Sequence, residues 1–463
     1  MCQVIGILKS ARDEPLGCLE LSEVTLTALQ TAVESLIKKI QQATENTQRL
    51  TVTLDLPVNT DLIDWMESQP LFPKFYWQSR DSREEVVALG QIKTFTDPMA
   101  AEKVLSDEQR IWGGRSFDGR TSRNRRCLSS FFFLPLLEVT RFDGSWQLAV
   151  NISVDDKEKI LQTLLQVTSE ATEIPEIKSK ILGRSYAPDY SGWSTMIGNA
   201  LDAISQNIFE KVVLARRTTL HLDTPVAPAQ LLKASRSRNI SSFHFMMAMD
   251  AKHCFVGSTP ERLFLRQERD LQTEALAGTI GRGQDSSEDN QLAQWLMDDN
   301  KNRYENRLVV DDIVSRLVPR CESMNVAHTP ELVRLRKVQH LKRSIDAQLN
   351  EQVYSADLLD SLQPTAAIAG LPRDKALDFI TEHEPFARGW YSGAVGFLSR
   401  QRSEFCVAIR SALIMGEELH LFAGAGIVPG STADSEWQEL DRKTSTLCSL
   451  LGSEEPELER KTA

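Results

Sequence analysis

The 463-residue chain has no run of about 18 uncharged apolar residues, the length a membrane-spanning helix needs. Its longest apolar cluster, Phe131-Phe132-Phe133-Leu134-Pro135-Leu136-Leu137, is far too short. Its seven cysteines are scattered, odd in number and without a CxxC, so neither a disulfide framework nor a zinc ribbon is expected. His221, His244, His253, His328, His340, His383 and His420 show no zinc-ligand spacing. The start, Met1-Cys2-Gln3-Val4, lacks the basic residues and small-residue cleavage site of a signal peptide. A reducing cytoplasm is therefore expected. Positive charge is in deficit: 53 Lys and Arg against 64 Asp and Glu, a formal net charge of −11. That balance disfavours nonspecific nucleic-acid binding and leaves open a small anionic ligand received by local positive groups. There is no internal repeat and no low-complexity tract. At 41% hydrophobic and 25% charged, the composition excludes a disordered, collagen-like or coiled-coil chain.

The length suits two or three ordinary domains or one large α/β domain. Residues 22–46 are amphipathic with a helical period, and 74–77, 85–90 and 146–154 alternate like half-buried strands. The stretch over 173–192, with Pro175 and Pro188, reads as a boundary. Beyond it a helix is predicted over 192–206, then strands over 211–220, 243–249, 254–257 and 262–266. One long helix is predicted over 288–317, a hairpin of strands 405–415 and 418–423 around Gly416, and a last helix over 433–451. The division expected is 1–185, 186–455 and a tail, 456–463.

Three stretches invite a phosphate- or nucleotide-binding reading. Arg115, Arg120, Arg123, Arg125 and Arg126 sit among Gly, Ser and Asn, and read as a solvated basic turn with a phosphate loop as the alternative. Gly424-Ala425-Gly426-Ile427-Val428-Pro429-Gly430 has GxGxxxG spacing rather than GxGxxG, and Pro429 delays the next helix, so a dinucleotide site is not expected. A backbone amide cradle for a carboxylate remains sensible there. Gly278-Thr279-Ile280-Gly281-Arg282-Gly283 lacks the Lys-Ser/Thr ending of a P-loop.

Four features carry candidate chemistry. Lys211 stands at the mouth of the apolar strand Lys211-Val212-Val213-Leu214-Ala215, and Glu261 lies in a turn, Gly257-Ser258-Thr259-Pro260-Glu261-Arg262-Leu263. Asn302, Glu305 and Asn306 share the long helix. Glu436 and Glu439, three apart, share a face of the last one. Taken singly, each reads as a snorkelling lysine, a surface turn or a solvated acidic face. Two oxygen-bearing helix faces could instead meet around a hard cation, since Mg²⁺ takes a few carboxylates with waters and an anionic ligand.

The ordered motifs KVVLAR (211–216), GSTPERL (257–263), TEALAGT (273–279), RLRKVQHL (334–341), QPTAAIAGLPR (363–373), SEFCVAIRSA (403–412) and FAGAGIVPGS (422–431) run through the chain. FYWQ (75–78) and RIWG (110–113) precede them. In these the chain resembles the chorismate-utilising enzymes, and among them most of all the menaquinone-specific isochorismate synthases. The resemblance implies one large α/β (α+β) domain of two antiparallel sheets face to face with helices outside. It implies chorismate as substrate, Mg²⁺ as cofactor and a monomer. By resemblance, Lys211 is the general base that activates water and Glu261 the general acid that protonates the departing hydroxyl. Glu305 and Glu439 hold Mg²⁺, with Asn302 and Glu436 behind them. Gly278, Thr279 and His340 contact the ring. Tyr391, Arg410 and the amides of Gly424 and Gly426 receive the enolpyruvyl carboxylate.

Two positions separate the relatives. Aminodeoxychorismate synthases carry a nucleophilic lysine where this chain has Ala277. Enzymes that go on to expel pyruvate usually carry threonine where it has Ala367. The expected activity is therefore isochorismate formation, with a pyruvate-releasing salicylate or anthranilate synthase as the alternative.

Overall fold

The computed structural model describes residues 16–44, 48–57, 60–118, 129–152, 156–168 and 170–451, with backbone alone for 16–27. Every strand pairing among them is antiparallel, and the hydrogen bonding divides into two ladders at the strand Ser130–Phe142. One edge of that strand pairs with Glu84–Phe95. Its other edge pairs with Arg110–Arg115 near its start and Ser145–Asn151 near its end. The first ladder continues through Lys74–Gln78, Phe243–Ala248, Cys254–Thr259, Ser411–Met415, Glu418–Ile427 and Lys211–Leu222. The second continues through Ala394–Ser399, Arg402–Val407, Arg262–Gln267, Asp270–Gly281 and Val338–Leu349.

The ladders pack face to face, as the resemblance implied. Alternation along Phe75-Tyr76-Trp77 sends Phe75 and Trp77 to one face and Tyr76 to the other. Phe75 and Trp77 join Phe243, Phe245 and Phe255 against Trp112 and Phe397 of the second ladder and Phe133 of the shared strand. Ring centroids lie 5.2 Å apart for Phe75–Trp112 and 6.4 Å for Trp77–Phe397. Helices cover the outer faces. Leu16–Gln42, Leu62–Ser68, Lys157–Leu164 and Pro228–Arg238 pack on one core, and Tyr190–Ser205, Asn300–Leu317 and Ser355–Leu362 on another. No helix among the described residues is long and apolar enough to cross a membrane.

Two elements differ from expectation. The single helix over 288–317 is two, Ser286–Asp298 and Asn300–Leu317. Asp299 breaks the run with extended backbone and restarts it by accepting the Asn302 N–H, so the second helix has its own N-cap. The strand over 405–415 is also two, Arg402–Val407 in the second ladder and Ser411–Met415 in the first. Between them Arg410 adopts a positive φ of 51°, which turns the chain from one ladder to the other. The hairpin around Gly416 is present. Of the basic stretch, Arg115 pairs with Asp360, while Arg120, Arg123, Arg125 and Arg126 lie outside the described residues, as does the tail 456–463.

Candidate active site

Strand Lys211–Leu222 starts in the interior, between Glu418–Ile427 and the short strand Gly370–Leu371. Lys211 is fully buried there, with its Nζ 2.9 Å from Glu305 Oε1. The contact does not meet hydrogen-bond geometry, and among the described residues the amine has no hydrogen-bond partner. Gly426 makes room for it, since a Cβ there would sit 2.2 Å from Glu305 Oε1 and 3.0 Å from Lys211 Cε. Glu305 is held ionised, below the usual carboxylate range, by Lys211 and more weakly by Lys443 and Lys301, against the opposing effect of burial.

Glu261 stands at the tip of the turn between strands Cys254–Thr259 and Arg262–Gln267. Burial pushes its carboxyl up to about 8, and the charge of Glu274 adds to the rise. Lys211, Lys443 and Arg410 pull it the other way. It is therefore a neutral acid at pH 7.

Glu261 and Glu305 line one cavity with Gly278, Thr279, His340, Tyr391, Arg410, Gly424, Gly426 and Glu439. Lys211 lies one layer behind it, reaching it through Glu305. His340 is kept neutral by burial and by the nearby Arg410 and Lys443. Arg410 Nη2 lies 3.2 Å from His340 Nε2, and His340 Nδ1 lies 3.0 Å from Thr279 Oγ1. An arginine can only donate, so Nε2 accepts and the proton sits on Nδ1. Burial raises the Tyr391 hydroxyl to about 12, so it stays protonated. Gly424 and Gly426 face Ala215 and Val213 across the ladder. The N–H groups of Ala215 and Val213 go instead to Glu384 Oε1 and Ala369 O. These are thus non-hydrogen-bonded pairs, and the Gly424 and Gly426 amides point to the opposite, cavity-side edge of their strand.

Behind the wall, Asn302 Oδ1 accepts the Thr279 N–H at 3.1 Å, and Glu436 pairs with Lys301 at 2.9 Å. Neither lines the cavity. Lys443 stands outside every motif; its Nζ lies 2.6 Å from Glu439 and donates to Gly424 O at 2.8 Å. It follows Glu439 by four residues on one helix, a spacing that places both on one face.

A match to the model of the family described as "Chorismate binding enzyme" spans residues 35–452. The chain belongs to the chorismate-binding enzyme family. It is 40% identical over 445 residues to isochorismate synthase MenF of Escherichia coli, covering 93% of this chain and all of that one. MenF of Bacillus subtilis is 32% identical, with 82% of this chain and 88% of that one covered. The solved structure of the menaquinone-specific E. coli enzyme superposes with a TM-score of 0.85 over 92% of this chain and 100% of that one. Anthranilate synthase component I of Streptococcus pneumoniae, at 19% identity and a TM-score of 0.63, covers 88% of this chain and 93% of its own and shares the fold.

The cavity can be tested for a hard cation by its donors. Glu305 and Glu439 come from different helices and both line it. Both offer oxygen only, and each now faces a lysine. No cluster of three or more His, Cys, Asp or Glu suited to a metal occurs among the described residues. Two carboxylates beside space for a dianion suit Mg²⁺, which keeps waters and relies on its anionic ligand, and do not suit zinc.

Proposed function

We propose that this chain is an isochorismate synthase, an isomerase of the menaquinone route that converts chorismate to isochorismate in the cytoplasm, as a monomer. The observation that carries the reading is that the neutral acid Glu261, the Lys211–Glu305 pair, Ala277 and Ala367 meet around one cavity.

Lys211, once its amine is uncharged, takes a proton from water as that water attacks ring carbon C2. The ring double bonds shift, and the C4 hydroxyl leaves as water with the proton of Glu261. One water enters and one departs, so the atoms balance. Acid and base act at different ring carbons, which requires two groups of opposite protonation state in one pocket. Arg410 and Tyr391 receive one carboxylate, and the amides of Gly424 and Gly426 add backbone donors. Glu305 and Glu439 would hold Mg²⁺, which would offset the charge of the other carboxylate. Ala277 offers no nucleophile for a covalent intermediate, and Ala367 no hydrogen bond to promote loss of pyruvate.

Incubation with chorismate and Mg²⁺, without ammonia, tests the reading by chromatography. Isochorismate alone is expected, and excess chelator should abolish its formation. Salicylate with pyruvate would instead identify a pyruvate-releasing synthase. Full activity in chelator would remove the cation from the reaction.

A further inference from the structure

Arg80 belongs to the N-terminal part of the chain, far in sequence from every residue assigned to the reaction. It follows strand Lys74–Gln78 in a tight turn, where Ser79 Oγ donates to Asp81 Oδ1 at 2.6 Å and the Ser82 N–H to Ser79 O at 2.9 Å. The turn sends the Arg80 side chain inward, where its guanidinium lies 5.5 Å from the centre of the Phe243 ring. There it grips Glu274 with two nearly parallel bonds, 2.5 and 3.0 Å long. Glu274 is almost wholly buried, so this is a charge pair with few alternatives in water.

Both partners also reach the chain on either side of Glu261. Arg80 Nη1 donates to Pro260 O at 2.7 Å, and the Arg262 N–H donates to Glu274 Oε1 at 3.0 Å. The Glu261 backbone is itself tied, its carbonyl accepting the Val407 N–H at 3.0 Å and its N–H donating to Thr259 Oγ1 at 3.3 Å. The tip of the turn therefore has little freedom left to displace its carboxyl. We propose that Arg80 and Glu274 are positioning residues for Glu261, a clamp that fixes the acid from both flanks and sets the negative charge behind it. The inference rests on Glu261 being the acid. It also gives the N-terminal part of the chain a role in the chemistry beyond completing the ladders.

Glu274 lies behind Glu261, and across the cavity stand Lys211, Lys443 and Arg410, the carboxylates Glu305 and Glu439, and the neutral His340 and Tyr391. Glu274→Gln removes the negative charge behind Glu261 that favours the protonated form, and it takes from the Arg80 cation its nearest counter-charge. Both changes favour the ionised acid, so the alkaline limb of the kcat/KM profile should move to lower pH by about half a unit or more. Gln keeps an oxygen to accept the Arg262 N–H, so the fold should persist. Arg80→Lys keeps the charge and loses the forked grip. It should leave the limb in place while lowering kcat by about 10-fold, since a small misplacement of a reacting group is costly.

The experiment is a pH profile of wild type, Glu274→Gln, Arg80→Lys and Glu261→Gln with chorismate and Mg²⁺. A lower limb in Glu274→Gln, with an unmoved limb and reduced kcat in Arg80→Lys, supports the clamp. Wild-type profiles in both variants, with Glu261→Gln inactive, overturn the clamp and leave the acid in place. An active Glu261→Gln overturns both. Equal loss of kcat in the two clamp variants with no displaced limb would reduce the pair to a fold-stabilising contact, and the inference would fail.

Discussion

Strand Lys211–Leu222 lies beside two buried ion pairs that differ in one respect. Glu384–Arg388 is nearly saturated, with four of the five Arg388 N–H groups engaged. Arg388 spends Nε and Nη2 on Glu384 at 2.9 and 2.5 Å, Nη1 on Ile368 O at 3.0 Å and Nη2 again on Val213 O at 2.7 Å. Glu384 Oε1 in turn accepts the Ala215 N–H at 2.8 Å. Lys211–Glu305 is equally hidden on the lysine side, yet it has one misaligned contact beside a cavity. A buried charge is tolerated when its hydrogen-bonding capacity is filled. The first pair braces the strand against the Ile368 wall and the Tyr391 loop. The second is a charge left short of partners next to open space, the condition expected of a group that acts on a bound molecule.

The sharpest way to break this contrast is to truncate each pair. Glu384→Ala should strand a fully buried guanidinium and cost about 3–5 kcal/mol of stability. Urea unfolding measures it, and a loss under about 1 kcal/mol would show that the brace is not one. Lys211→Ala should behave oppositely, with little change in the unfolding midpoint and turnover at least about 100-fold lower. If Lys211→Ala unfolds the protein while Glu384→Ala merely slows it, the roles are reversed.

Arg410 extends the comparison to a third buried cation. Its side chain carries one long contact to Lys443 O at 3.5 Å and one to His340 at 3.2 Å, so it too is short of acceptors. Burial lowers its guanidinium to about 10. Arg410→Ala should raise KM for chorismate by about 10-fold, the worth of one charged hydrogen-bonding group, with a smaller change in kcat. An unchanged KM from steady-state kinetics would mean that no substrate carboxylate meets it.

Lys211, Glu261, Thr279, His340 and Arg410 were legible because each sits in a contiguous motif, whereas Glu305 and Glu439 stood on two helices and, with Tyr391, outside every motif. Glu261, Thr279, His340, Tyr391 and Glu439 converge although more than 170 residues separate the first from the last. What escaped was of three kinds. Asp299 sits between two helices whose apolar spacing runs on through the break, so periodicity merged them; only its capping chemistry marks the restart. The turn at Arg410 needs a positive φ in a non-glycine residue, which tertiary contacts hold and no local preference announces. Arg80 is a third case, functional only through a partner 194 residues away.

The smallest predicted effect concerns Glu261 and separates its burial from its catalysis. Its carboxyl stands near 8 in the folded chain, against an ordinary value of 4.5. A raised acid favours folding while protonated, so that contribution is complete below about pH 4.5 and is lost as pH climbs through about 8. Glu261→Gln cannot ionise. It should match wild type in Tm at pH 4.5 and exceed it at pH 9 by several degrees, since the shift in Tm per kcal/mol is small for a chain of this length. Paired Tm scans across that range need no substrate. A Tm difference that stays flat with pH would mean that Glu261 is solvated enough to ionise freely, and a carboxylate in that state could not serve as the proton donor at pH 7.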